Sequence, residues 1–132
     1  MKRADRIALF SRLQELNPHP KTELQYSNPY ELLIAVMLSA QATDIGVNKV
    51  TRRLFALANT AQAMCALGLP AIRKTISSLG LYNAKAVHVF ETSRILAECH
   101  GGVVPSHRDA LQALPGVGRK TANVVLNTVF RQ

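Results

Sequence analysis

The chain has 132 residues, 48% of them apolar, which suffices for one domain with a real core and argues against intrinsic disorder. Sixteen Lys and Arg against eight Asp and Glu give a formal charge of +8, large for this length and suited to nucleic acid or an anionic surface. The longest apolar run, residues 32–38, falls far short of the ~20 residues that cross a bilayer, and no apolar signal region follows Met1, so a cytosolic protein with no membrane partner is expected.

Residues from about Arg3 to Leu16 predict an amphipathic helix, with Ile7, Phe10, Leu13 and Leu16 on or near one face and Asn17-Pro18-His19-Pro20 as its stop. Lys21 to Ser27 reads as a polar connector. Asn28-Pro29-Tyr30-Glu31 opens the next helix, with Asn28 as N-cap, Pro29 at the first helical position and Glu31 placed for a capping box. Leu32 to Ala40 is apolar almost all round, which predicts a central buried helix ending at Gln41. Thr43 or Asp44 caps a third helix, with Val47, Val50 and Leu54 inward and Lys49, Arg52 and Arg53 outward. Thr60 caps a short helix stopped by Gly68. Pro70 starts another, with Ile72, Ile76 and Leu79 inward and Gly80 as its stop. Asn83 is the expected cap of a longer helix through His100, with Val89, Phe90 and Leu96 buried and Gly101-Gly102 beyond it. Ser106, with Asp109 three positions on, marks one more short helix. No alternation of period two is long enough for a strand. The class is therefore all-α, with about eight helices and short loops.

Cys65 and Cys99 are too few and too far apart for a zinc or iron–sulfur site, and they read as reduced helix-packing residues. The four histidines show no ligand spacing, and His88 and His100 read as structural. No metal site is expected.

The chemistry concentrates in Leu114-Pro115-Gly116-Val117-Gly118-Arg119-Lys120-Thr121-Ala122. Leu111 and Leu114 end one apolar pattern, and Ala122, Val125, Leu126 and Val129 begin another at helical spacing. Pro115 discourages helix at Leu114, while Gly116 and Gly118 can take positive φ and let a ligand approach the backbone. A hairpin results, with free N–H groups at a helix start, where phosphate binds well. Arg119 and Lys120 occupy a first turn that disfavours cations, which points to an anionic partner or to chemistry. The bland alternative is a helix corner with solvated basic residues. A fainter echo of the same outline runs through Gly80-Leu81-Tyr82-Asn83-Ala84-Lys85-Ala86.

This stretch resembles the helix-hairpin-helix of the endonuclease III family of DNA glycosylase/abasic-site lyases. Glu31-Leu32-Leu33-Ile34-Ala35-Val36-Met37-Leu38-Ser39-Ala40-Gln41-Ala42-Thr43-Asp44 is similar to that family's motif at the lip of its DNA groove, and Gly80-Leu81-Tyr82-Asn83 with Lys85-Ala86 to its second DNA-contacting loop. The resemblance implies a six-helix barrel over residues 21–132, with the hairpin motif at about 107–130. It assigns residues 1–20 to a second lobe that carries a [4Fe–4S] cluster. It implies base-excision repair at oxidised pyrimidines in duplex DNA, in the cytoplasm and nucleoid. Lys120 would be the nucleophile, attacking sugar C1′ to form a Schiff base that undergoes β-elimination; Arg119, the helix start and partial burial would favour its free amine. Gln41 would fill the space of the extruded base and Leu81 would wedge from the other side. Gly116, Val117, Gly118, Arg119 and Thr121 would hold backbone, and Ser39 and Asp44 are pocket candidates, Asp44 reading equally well as a helix cap. The family's catalytic aspartate and four cluster cysteines have no counterpart here, so a C-terminally truncated chain is expected. Such a chain would hold no cluster, have impaired base removal, and associate through an exposed N-terminal helix. The alternatives are a non-catalytic DNA-binding module and an inactive fragment.

Overall fold

The computed structural model describes residues 24–130. The expected N-terminal helix, with Ile7, Phe10, Leu13 and its Pro-rich stop, lies outside the described residues. Within them the chain is helical and has no strand. Seven α-helices follow in order: α1 Pro29–Leu38, α2 Asp44–Leu57, α3 Ala61–Leu67, α4 Leu69–Thr75, α5 Tyr82–Cys99, α6 Arg108–Gln112 and α7 Arg119–Val125. A π-helical turn, Leu126–Phe130, continues α7.

α1 is the core helix because nearly every side of it is apolar. Leu32, Leu33, Ile34, Ala35 and Leu38 are wholly buried, and α2, α5 and α7 pack around it. Its start is fixed as the sequence predicts: Asn28 Oδ1 accepts from the Glu31 N–H at 2.7 Å. The reciprocal bond is displaced by one residue, since Glu31 Oε1 accepts from the Ser27 N–H at 2.8 Å and not from Asn28. The helix stops at Leu38, with Ser39 as its C-cap, two residues short of the apolar run.

α2 is capped by Thr43, whose Oγ1 accepts from the Gly46 N–H at 3.0 Å, so Asp44 is the first helical residue. Val47, Val50 and Leu54 face the core, and Lys49, Arg52 and Arg53 are exposed. Thr60 caps α3, and Gly68 ends it at φ +91°. α3 and α4 pack along α5, the longest helix.

Several boundaries depart from expectation. α4 begins at Leu69, with Pro70 in its first turn, and ends at Thr75. Ile76 to Gly80 is a turn whose Leu79 is nevertheless buried. α5 begins at Tyr82 with Leu81 in the cap position, so Asn83 is not the cap. α6 begins at Arg108 behind an extended His107, and Ser106 is not its cap. Phe90, expected buried, is half-buried, and Cys99, expected to pack between helices, is exposed. In the core, Tyr30 and Ser93 join their hydroxyls, and burial pushes the Tyr30 phenol well above its usual range.

Candidate nucleic-acid interface

Three corners carry the candidate residues: the α1–α2 corner with Gln41, the α4–α5 corner with Leu81, and the hairpin between α6 and α7. Gln41 (φ +55°) and Leu81 (φ +59°) are the only non-glycine residues with positive φ among the described residues. An L-residue in that region costs roughly 1–2 kcal/mol. Neither side chain recovers this by burial: Gln41 is exposed, and Leu81 is 61% exposed. Strain of this kind persists where the surrounding structure imposes it and where a function uses it.

The corners are joined. A side-chain carbon on Gly46, in the first turn of α2, would stand 3.1 Å from Thr43 Oγ1 and 3.9 Å from Leu79 Cδ2. The Gln41 corner therefore lies against the turn that presents Leu81. From Leu81, α5 runs to the hairpin. Leu81, Lys85, His88 and Thr92 follow at the spacing of one helix face. Thr92 Oγ1 donates to Pro115 O at 2.8 Å, and a Cβ on Gly116 would stand 2.8 Å from the His88 ring and its Cβ. His88, expected to be structural, is exposed and packs against the hairpin. His100 is half-buried at the end of α5.

The hairpin uses its two glycines differently. Gly116 has φ +77°, which only glycine adopts without strain. Gly118 is extended at φ −91° and ψ −176°, and a Cβ there would meet nothing within 4 Å. Gly118 is the N-cap of α7, so the N–H groups of Arg119, Lys120 and Thr121 have no acceptor within the helix. The Val117 N–H is bound to Leu114 O at 3.1 Å, and its side chain is buried. Val117 is thus a packing residue of the hairpin and not a free donor. Arg119 and Lys120 are both exposed, so the partial burial expected for Lys120 is absent; Thr121 is half-buried.

The pocket candidates lie at the first corner. Ser39 Oγ donates to Val36 O at 2.7 Å, which occupies its proton, and Asp44 is half-buried at the start of α2. Lys85 belongs to the second motif, but its burial is not evident from that motif. Lys85 is 6% exposed, and its Nζ has no hydrogen-bond partner among the described residues. Burial holds its ammonium below the usual lysine range. Its place on the α5 face, four residues after Leu81 and four before the buried Val89, was the available signal.

Residues 34–132 match the HhH-GPD superfamily of base excision DNA repair proteins. The chain belongs to that superfamily. It is 58% identical to Endonuclease III of Escherichia coli (strain K12) over 130 residues, which cover 98% of this chain and 62% of that protein. It is 59% identical to the Haemophilus influenzae Endonuclease III over 130 residues, again 98% of this chain and 62% of the relative. Among solved structures, a trapped Endonuclease III–DNA covalent intermediate superposes with TM-score 0.82 at 44% identity, over 98% of this chain and 62% of that one. A thermostable thymine-DNA glycosylase superposes with TM-score 0.78 at 26% identity, over 97% of this chain and 59% of that one. The chain thus spans about 62% of the length of the Endonuclease III proteins it matches. The all-helical class and the helix-hairpin-helix are those of the superfamily.

An iron–sulfur cluster of the kind the resemblance implies needs four cysteine thiolates. The 132 residues contain two cysteines, Cys65 in α3 and Cys99 at the end of α5, and no group of metal-ligating side chains occurs among the described residues. These residues do not fit a cluster. No helix among the described residues is long and apolar enough to cross a membrane.

Proposed function

We propose that this chain binds duplex DNA across the three joined corners and that Lys120 forms a Schiff base at an abasic site. The observation that carries the reading is the strain at Gln41 and Leu81: both are exposed corner residues held at positive φ, Gln41 two residues before the N-cap of α2 and Leu81 at the N-cap of α5. The similarity to Endonuclease III–DNA complexes supports it. On this reading residues 21–132 form the DNA-binding barrel. Gln41 and Leu81 enter the duplex from its two strands, and the amides at Gly118 and the start of α7 take a backbone phosphate, with Arg119 and Thr121 beside them.

The chemistry follows from an amine at that place. The lone pair of Lys120 Nζ attacks C1′ of the open-chain sugar, and the carbinolamine loses water to give an iminium. The iminium withdraws electrons, so the C2′ proton leaves to a base. The C2′–H pair forms a C=C bond as the C3′–O bond breaks and the 3′ phosphate departs. Water then hydrolyses the imine and frees Lys120. The exposed amine reaches an abasic sugar without removing a base first, so abasic-site cleavage is the activity assigned to these residues.

The test is borohydride trapping on a duplex with one abasic site, comparing the chain with Lys120→Gln. A covalent adduct that disappears in the variant is expected. Duplex binding with no adduct would leave a non-catalytic DNA-binding module, and neither binding nor adduct would mark an inactive chain.

A further inference from the structure

We propose that His88 is an additional contact to the DNA backbone, beside the phosphate taken by the hairpin. The proposal rests on the DNA-binding reading above and adds a residue from α5 to the grip. The imidazole is exposed and packed against Gly116, where an added Cβ would lie 2.8 Å from His88 Cβ, Cγ and Nδ1. It therefore forms the wall of the hairpin on the side facing α5. The hydrogen bond from Thr92, one turn on, to Pro115 O fixes that wall in register with the glycines.

The surroundings suit an anion. The α5 carboxylate nearest in sequence, Glu91, is held by Arg94 at 2.7 Å. Arg119 and Lys120 are exposed at the start of α7, and no acidic residue follows Asp109 in the chain. One turn before His88 on the same face, Lys85 leaves a buried ammonium with no acceptor among the described residues. A backbone phosphate supplies acceptors only, which suits these cationic neighbours. An imidazole N–H can donate to a phosphate oxygen in either protonation state.

The experiment uses the 132-residue chain and a short duplex with a tetrahydrofuran abasic-site analogue. Affinity is read by fluorescence anisotropy for the unmodified chain, His88→Ala, His88→Leu and His88→Gln. The set is repeated on duplexes in which one phosphate at a time is replaced by a neutral methylphosphonate. His88→Ala is expected to weaken binding about tenfold, the effect of one hydrogen bond to a charged acceptor. Gln is expected to restore most of the loss, whereas Leu, which keeps packing but not the donor, is not. At one methylphosphonate position His88→Ala is expected to cost nothing further, since its partner is already gone. Equal losses from His88→Ala at every methylphosphonate position, or full rescue by Leu, would overturn the contact while leaving the DNA-binding reading intact. Absence of salt-sensitive duplex binding by the unmodified chain would instead overturn that reading.

Discussion

Two glycines two positions apart answer to different forces. Gly116 is needed by the fold: at φ +77° a side chain is strained, and its Cβ would drive into His88. Gly116→Ala should cost about 2 kcal/mol, visible as a lowered Tm. Gly118 is at an ordinary extended φ with open space around it. Replacing it with Ala loses a little as an N-cap and gains a little by stiffening the unfolded chain, and the two nearly cancel. Gly118→Ala should therefore leave stability within about 0.5 kcal/mol, yet weaken duplex binding about tenfold by standing between a phosphate and the α7 amides. Thermal melts and anisotropy titrations of both variants separate the roles. A large loss of stability at Gly118 with binding unchanged would reverse the assignment.

Among the elements, α5 matters most because two corners register against it. The bond from Thr92, which is wholly buried, ties it to the hairpin. Thr92→Val keeps the shape and leaves the Pro115 carbonyl without this donor, so it should cost about 1–2 kcal/mol and speed amide exchange at residues 116–120. Unchanged exchange there would mean that the hairpin is held by packing alone. The corners themselves were readable. Asn28 and Thr60 cap the helices they were expected to cap, and Thr43 takes one of two places left open, because their side-chain oxygens meet the first-turn amides locally. Asn83 and Ser106 misled in the same way: each stands beside a helix start that has no side-chain cap. α5 starts one residue before Asn83, behind a strained Leu81, and α6 starts behind His107. A leucine in the left-handed region has no local cause, so composition could not reveal it. Lys120 and the Gly116–Gly118 hairpin were legible in the motif, whereas the exposure of Lys120 and the internal bond of Val117 depend on packing.

For the molecule as a whole, the buried Lys85 ammonium links stability to pH. Its folded value is depressed while the unfolded chain titrates near 10.5, so the unfolded state binds the proton more tightly. The penalty is full below the folded value and fades as pH rises toward the unfolded one. Stability should thus gain from Lys85 with rising pH across that alkaline window. Lys85→Met should abolish this gain and be more stable near neutrality by about 1–3 kcal/mol. Urea titrations at about pH 7 and about pH 10 test both statements. A destabilised Met variant would show that Lys85 has an acceptor in solution.

The length of α5 also makes it a gauge. Leu81 and His88 lie seven residues apart on one face, which is about 10 Å along the axis. That is close to three base-pair rises of about 3.4 Å. On the proposed DNA-binding reading, the helix sets how far from a phosphate held at His88 the side chain at 81 would enter a duplex. One inserted residue would turn Leu81 by about 100° off the shared face, whereas seven would restore the face but shift the reach by another three steps. Length, as well as side-chain chemistry, is constrained between those two positions.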